Sequence, residues 1–232
     1  MIATAKNPLT ESDVSTPNGG LTNSGLYVQY GCGWCAPEGW ANFDASYTLA
    51  FERLPLIGKF YTKNSQRFPD DVRYGNIVKG LPLAAGSASG VYASHVLEHL
   101  SYGDCIEALG NTYRLLRPGG IFRLIVPDLE SAAQEYLEQL KGRSTEANEF
   151  FMESTSLGRK ESIRGIGAWL YSLLNSSRHL WMWDYPAMAQ ALEGQGFRNI
   201  RRCTFNDSED PMFARVEDQL RFDGALAIEA RR

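Results

Sequence analysis

Ser94-His95-Val96-Leu97-Glu98-His99-Leu100, followed by Leu116-Arg117-Pro118-Gly119-Gly120 and Ile121-Phe122-Arg123-Leu124-Ile125-Val126-Pro127-Asp128, is the stretch whose reading decides the fold. Alone, His95 to His99 spells HxxEH, a zinc-hydrolase pattern in which residues i and i+4 share a helix face and the glutamate serves as base. A peptidase also needs a third ligand and a long helix. The chain has only His179 as a further histidine, and the segment follows a strand-like run directly. Its flanks point elsewhere. A helical pattern stops at Pro118, which cannot continue it, turns through Gly119, and enters an apolar strand. That is the back end of an α/β sheet.

Working outward, Leu26-Tyr30 is a β-rich run ending in Gly31-Cys32-Gly33, and Trp40-Asp44 is a second strand with an acid at its carboxyl end. Val72-Tyr74 closes on Gly75-Asn76, Gly90-Ser94 is the fourth strand, and Ile121-Val126 the fifth. Asn199-Thr204 and Ala225-Ala230 complete seven. Helical periodicity marks Asp104-Leu116, Leu129-Leu140 and Tyr185-Gln195 between them. Alternation of strands and helices predicts a doubly wound, mostly parallel Rossmann-like α/β sheet. The last two strands lack a strong helix between them, which suits an antiparallel final pair.

The 232 residues, 44% hydrophobic and 22% charged, are expected to form one domain over 25–232. Residues 1–24, rich in Ser, Thr, Pro and Gly, read as a flexible lead-in. A net charge of -4 gives no general case for nucleic-acid or anionic-membrane binding. No apolar run approaches the roughly 18 to 20 residues of a membrane span, so a cytoplasmic protein is expected. Cys32, Cys35, Cys105 and Cys203 are too few and unevenly spaced for a disulfide framework. Cys32-Gly33-Trp34-Cys35 has the CxxC form of a redox site, yet Pro37 and Gly39 leave little helix to lower a thiol pKa.

In doubly wound sheets ligands bind beyond the carboxyl ends of the strands, where strand order reverses. Gly31, Gly33, Asp44, Asn76, Ile77, Ser94 and His95 all fall there. With "HVLEHL" after the fourth strand and "LRPGG" before the fifth, the chain resembles class I S-adenosylmethionine-dependent methyltransferases, of the methyltransferase type 11 kind. The resemblance covers Leu26 to Asp128 well and the remainder in outline. It implies S-adenosylmethionine as cofactor, with Gln29, Gly31, Cys32 and Gly33 forming its glycine turn. It also implies Asp44 as the ribose acid, Asn76 and Ile77 at the adenine, and Ser94 and His95 beside the methionine end.

Three departures stand out. Gln29 occupies the place of an acid that would pair with the methionine ammonium. The interval from Gly33 to Asp44 is shorter than the usual separation of about 20 residues, so the first crossover helix is expected to shrink to a turn. Asn76 stands where Asp is common.

Methyl transfer from a sulfonium is an in-line displacement that mainly requires alignment and exclusion of water. A hydroxyl acceptor additionally needs a base, and His95 is the best placed, with packing or cofactor contact as its bland alternative. His179 is the second catalytic candidate. Methyltransferases with ExxEH at this place include metal-assisted O-methyltransferases, and His95, Glu98, His99 and a distant His179 could hold a divalent ion; no metal ligand is assigned from the sequence.

Two insertions, 51–70 and 142–184, are expected to form the acceptor side, the second as an aromatic-rich helical cap carrying Phe150, Phe151, Trp169, Tyr171, Trp181, Trp183 and Tyr185, with Asp184 near the acceptor. Arg53, Lys59, Lys63 and Arg67 in the first, and Arg159, Lys160 and Arg164 in the second, suggest an anionic acceptor. The expected function is methylation of a small molecule, foremost O-methylation of a sugar-like or glycan-linked hydroxyl. The alternatives are N-methylation of an amine, metal-assisted O-methylation and, more remotely, a zinc hydrolase or a non-catalytic cofactor-binding scaffold. No nucleic-acid partner is expected, and the oligomeric state is open.

Overall fold

A computed structural model describes residues 25–54, 66–158, 160 and 178–232. Seven strands form one sheet: β1 Leu26–Tyr30, β2 Trp40–Asp44, β3 Val72–Tyr74, β4 Ala88–Ser94, β5 Leu116–Pro127, β6 Arg198–Arg202 and β7 Ala225–Arg231. Their order is β3-β2-β1-β4-β5-β7-β6. Strands β3 through β5 run parallel, and β7 lies antiparallel between β5 and β6. The helices are α1 Tyr47–Glu52, α2 Tyr102–Leu115, α3 Leu129–Lys141, α4 Ala147–Ser154 and α5 Tyr185–Gly194.

Burial of both sheet faces explains the apolar strands. Val28, Tyr30, Val91, Ala93, Phe122 and Leu124 pack with Cys105, Ala108 and Leu109 of α2 on one face. Tyr27, Trp40, Tyr92 and Ile125 pack with Phe213 and Val216 on the other. Helix α2 starts where Ser101 Oγ accepts the Asp104 N–H at 3.2 Å and ends before Pro118. The segment Arg117-Gly120 forms an irregular start to β5, with register shifting between Ala88 and Gly90, rather than a free turn. Gly119, at φ 76°, donates its N–H to the Arg232 carbonyl at 2.8 Å, so the chain's last residue clamps it.

The link from β6 to β7 carries only short 3-10 turns at Phe213–Arg215 and Gln219–Arg221. A parallel return is usually carried by a helical crossover; this link has no α-helix to carry one, and β7 enters antiparallel. Between β1 and β2 there are turns alone, as the short Gly33-to-Asp44 interval requires. Helix α1, capped by Ser46 Oγ on the Leu49 N–H at 3.2 Å, and helix α4 are elements the hydrophobic periodicity does not mark. Of the residues singled out from the sequence, 1–24, Lys59, Lys63, Arg159, Arg164, Trp169 and Tyr171 lie outside the described residues.

Candidate active site at the carboxyl edge of the sheet

Because β1 to β4 are parallel, the turns after them open on one edge. Gly31 and Gly33 lead out of β1 at φ 65° and 54°, a left-handed backbone that glycine adopts without a Cβ penalty. A Cβ on Gly31 would lie 2.2 Å from Val96 Cγ2, whereas nothing lies within 4 Å of the Cβ position of Gly33. The first glycine lets the turn after β4 approach; the second leaves room above the loop. Asp44, buried at the end of β2, joins the two: its Oδ2 accepts the Gly33 N–H at 3.1 Å and its Oδ1 the Ser46 N–H at 2.8 Å.

Gln29 points beneath this loop. Its amide donates to the Cys35 carbonyl at 2.7 Å and to Asn42 Oδ1 at 2.6 Å, so it braces the β1–β2 connection. Cys32 donates its N–H to the Phe43 carbonyl at 3.1 Å, and burial, followed by the charge of Asp44, pushes its thiol up to about 12. That direction opposes the CxxC redox reading, which needs a lowered thiol pKa. The four cysteines are free. Trp34 stacks on Phe68 at 5.3 Å and its Nε1–H reaches the Gln66 carbonyl at 3.3 Å, docking the end of the first insertion on the glycine loop.

Asn76 follows β3 as the cap of a 3-10 turn, its Oδ1 accepting the Val78 N–H at 2.9 Å. Its Nδ2 is the donor left for a base edge. Ile77 is buried in the core against α2, so it backs the site rather than lining it. Ser94 is buried at the end of β4, its hydroxyl on the same face as that of Tyr92, two residues earlier; among the described residues neither hydroxyl has a well-formed hydrogen bond.

His95 takes a left-handed φ of 55°, rare for a residue with a side chain. Its Nε2–H donates to the Arg221 carbonyl at 3.0 Å and its Nδ1 lies 3.4 Å from Glu98 Oε1. The pairing with Glu98, against the opposing effect of burial, raises its pKa above the ordinary value. Glu98 sits in a 3-10 turn, Leu97–His99, rather than an α-helix, so His95 and His99 do not share a helix face as HxxEH in a zinc hydrolase requires. They meet around Glu98 instead, with His99 Nε2 at 3.9 Å from Glu98 Oε1. His179, 84 residues from His95 in sequence, joins them: its ring centroid is 5.1 Å from that of His99. Burial lowers its pKa, with Glu98 acting in the opposite direction. Sequence reasoning left His179 distant because the backbone bonds that bring it here, from the Leu180 and Trp181 N–H groups to the Glu98 carbonyl at 2.7 and 3.2 Å, carry no side-chain signature.

Other candidates hold up the frame. Asp184 caps α5 through the Ala187 N–H at 2.9 Å, and Trp183 is buried core beside Tyr102. Trp181 is 44% exposed and packs on the Tyr102 ring. Arg53 bonds the Pro69 carbonyl at 2.6 Å, and Lys160 pairs with Glu149 and Glu153, so neither is a ready anion receptor. A pocket of about 770 Å³ beside Arg178, the residue before His179, is lined by the acids Glu149 and Glu153, the bases Lys160 and Arg178, and Met152, Ser156 and Gly158.

Residues 31–202 match the model of a family described as a methyltransferase domain. Among solved structures, an S-adenosylmethionine-dependent methyltransferase from Thermotoga maritima is 15% identical with a TM-score of 0.47, over 91% of this chain and 84% of that one. One from Archaeoglobus fulgidus is 16% identical with a TM-score of 0.45, over 89% and 86%, and one from Mesorhizobium loti 15% identical with a TM-score of 0.44, over 90% and 91%. No curated protein matches the chain.

Proposed function

Because the chain belongs to the methyltransferase domain family, as a class I S-adenosylmethionine-dependent methyltransferase, we propose that it methylates a hydroxyl of a small, sugar-like molecule. The donor supplies a methyl group on a sulfonium. Residues on the carboxyl edge fit that donor: the open space above Gly33 admits it, the Asp44 carboxylate keeps lone pairs for ribose hydroxyls, and Asn76 Nδ2 suits an adenine edge. Ser94, whose buried hydroxyl has no well-formed hydrogen bond among the described residues, offers a further contact. Gln29 is bound to Cys35 and Asn42, so the methionine ammonium finds no carboxylate from β1.

The observation that carries the hydroxyl reading is the pair His95 Nδ1 and Glu98 Oε1 at 3.4 Å, just beyond β4. A carboxylate on one ring nitrogen orients the imidazole and leaves the other to take a proton, the arrangement a hydroxyl nucleophile needs. That other nitrogen, Nε2, is held by the exposed Gln219–Arg221 turn through the Arg221 carbonyl. An acceptor hydroxyl would replace that carbonyl as its partner with the ring in its other tautomer, the hydrogen on Nδ1 toward Glu98 and the lone pair on Nε2. His179 lies near the same carboxylate, and the pocket beside its chain segment gives the acceptor its room.

The test is release of S-adenosylhomocysteine across sugar, amine and carboxylate acceptors. Turnover with hydroxyl-bearing sugars supports the reading, and turnover confined to amines replaces it with N-methylation.

A further inference from the structure

The chain contains three histidines, and all three gather around one carboxylate. Glu98 is completely buried, and neither of its oxygens has a hydrogen-bond donor among the described residues. A buried carboxylate without donors is costly and normally signals a paired charge or a cation. His95 faces one oxygen at 3.4 Å and accounts for part of this. The rest is not accounted for.

His99 supplies the second observation. Its Nδ1 lies 3.1 Å from the Arg178 carbonyl, which can only accept, so Nδ1 carries the hydrogen. In the neutral ring Nε2 then turns its lone pair toward Glu98 Oε1, 3.9 Å away. Two acceptors facing each other repel unless something positive lies between them. A backbone carbonyl on the remote ring nitrogen is also how proteins hold a metal-binding imidazole in the ligating tautomer. His179 supplies the third: its Nδ1 is buried and has no partner among the described residues, while its ring lies against the Thr155 backbone. One ligand atom each from Glu98, His99 and His179 lies within 4.8 Å of the others. Ligands about 2.0 to 2.2 Å from one ion stand roughly 3.3 Å apart, a closure that small side-chain rotations achieve.

We propose that Glu98, His99 and His179 bind one divalent first-row transition cation, with His95 alongside. Two imidazoles and a carboxylate favour zinc, cobalt, nickel or iron over magnesium or calcium, which prefer all-oxygen shells. Three protein ligands leave coordination open to an oxygen of the acceptor; that use rests on the hydroxyl reading above, and the binding site does not.

The test is titration of the untagged full chain, stripped with a chelator, with Co²⁺ and Zn²⁺, followed by visible absorption and thermal melting. One equivalent of Co²⁺ should bind with visible ligand-field bands and raise the melting temperature, since an ion bound only by the folded state stabilises it. His99→Ala and His179→Ala should each weaken binding at least tenfold and melt like the stripped wild type without metal. Absence of stoichiometric binding by the wild type overturns the proposal. So does undiminished binding by the His99→Ala/His179→Ala pair, which would place the ion on cysteines or surface carboxylates. Methylation of hydroxyls by a chain that binds no metal sinks the site alone; stoichiometric metal in a chain that methylates only amines sinks the hydroxyl reading alone.

Discussion

The Gly33 N–H donates to Asp44 Oδ2 across 3.1 Å, so the turn that leaves β1 hangs on the acid that ends β2. One carboxylate thus sets the height of the loop, and in the proposed reading it also takes the ribose hydroxyls. Asp44→Ala should raise the dissociation constant for S-adenosylmethionine about ten- to a hundredfold, from charge-assisted bonds of roughly 1.5 to 3 kcal/mol each. Calorimetric titration measures it. Unchanged affinity would remove Asp44 from the cofactor site.

Gly31 and Gly33 share a left-handed backbone but differ in their surroundings. An Ala at Gly31 meets Val96 at 2.2 Å, so it should lower unfolding stability by about 2 to 4 kcal/mol, strain and overpacking together. An Ala at Gly33 has space around it and should cost about 1 kcal/mol, yet weaken cofactor binding more than it weakens the fold. Urea unfolding and cofactor titration on both variants separate the two. Equal losses in both assays would mean that the space above Gly33 is not where the cofactor lies.

Strand ends at Tyr30, Asp44 and Tyr74 were legible because the runs stop at a glycine or an acid, and the end at Ser94 because a Ser-His pair interrupts the apolar run. Helix α1 was not, since its six residues span too few turns to show a period; Ser46 before Tyr47 was its only signal. That the turns after β1 to β4 share one edge was readable from topology, since residues after parallel strands must lie together. What Gln29 does was not: exchanging charge for an amide at the usual acidic position shows in the letters, while its bonds to Cys35 and Asn42 depend on how two loops fold back. The gathering of His179 with His99 rests on backbone bonds to Glu98, which any residues at 180 and 181 other than proline could donate.

Arg123, whose side chain is 1% exposed, binds Glu217 at 2.6 Å, Glu229 at 2.8 Å and Asp207 at 3.0 Å, tying β5 to β7 and to the segment between β6 and β7. Arg123→Met keeps the bulk but takes from buried Glu217 its cation and leaves Asp207 and Glu229 with Arg201 alone, at a cost of about 3 to 5 kcal/mol. Burial alone would raise the Asp207 pKa, but bonds from Arg201, the Thr204 N–H and Arg123 overcome it and hold the carboxyl at about 2, below its ordinary 3.8. A depressed folded-state pKa means the bound form is fully stabilising above the unfolded value and loses that contribution as pH falls through the folded one. Wild-type stability should therefore decline from just above pH 4 toward pH 2, and the decline should be shallower in Arg123→Met. Urea midpoints followed by circular dichroism across that window decide it; parallel curves would count against Asp207.

His95→Asn tests the proton acceptor with the least damage to the turn, because Asn tolerates the left-handed φ of 55° better than most residues. The Glu98 pairing and the bond to the Arg221 carbonyl are lost together. If His95 takes the acceptor's proton, turnover should fall about a hundred- to ten-thousandfold, while the cofactor dissociation constant stays within about threefold. Single-turnover rates and cofactor titration on the same preparation give both numbers. A matching loss in affinity would make His95 a cofactor contact, and unchanged turnover would move the proton to another acceptor near Glu98.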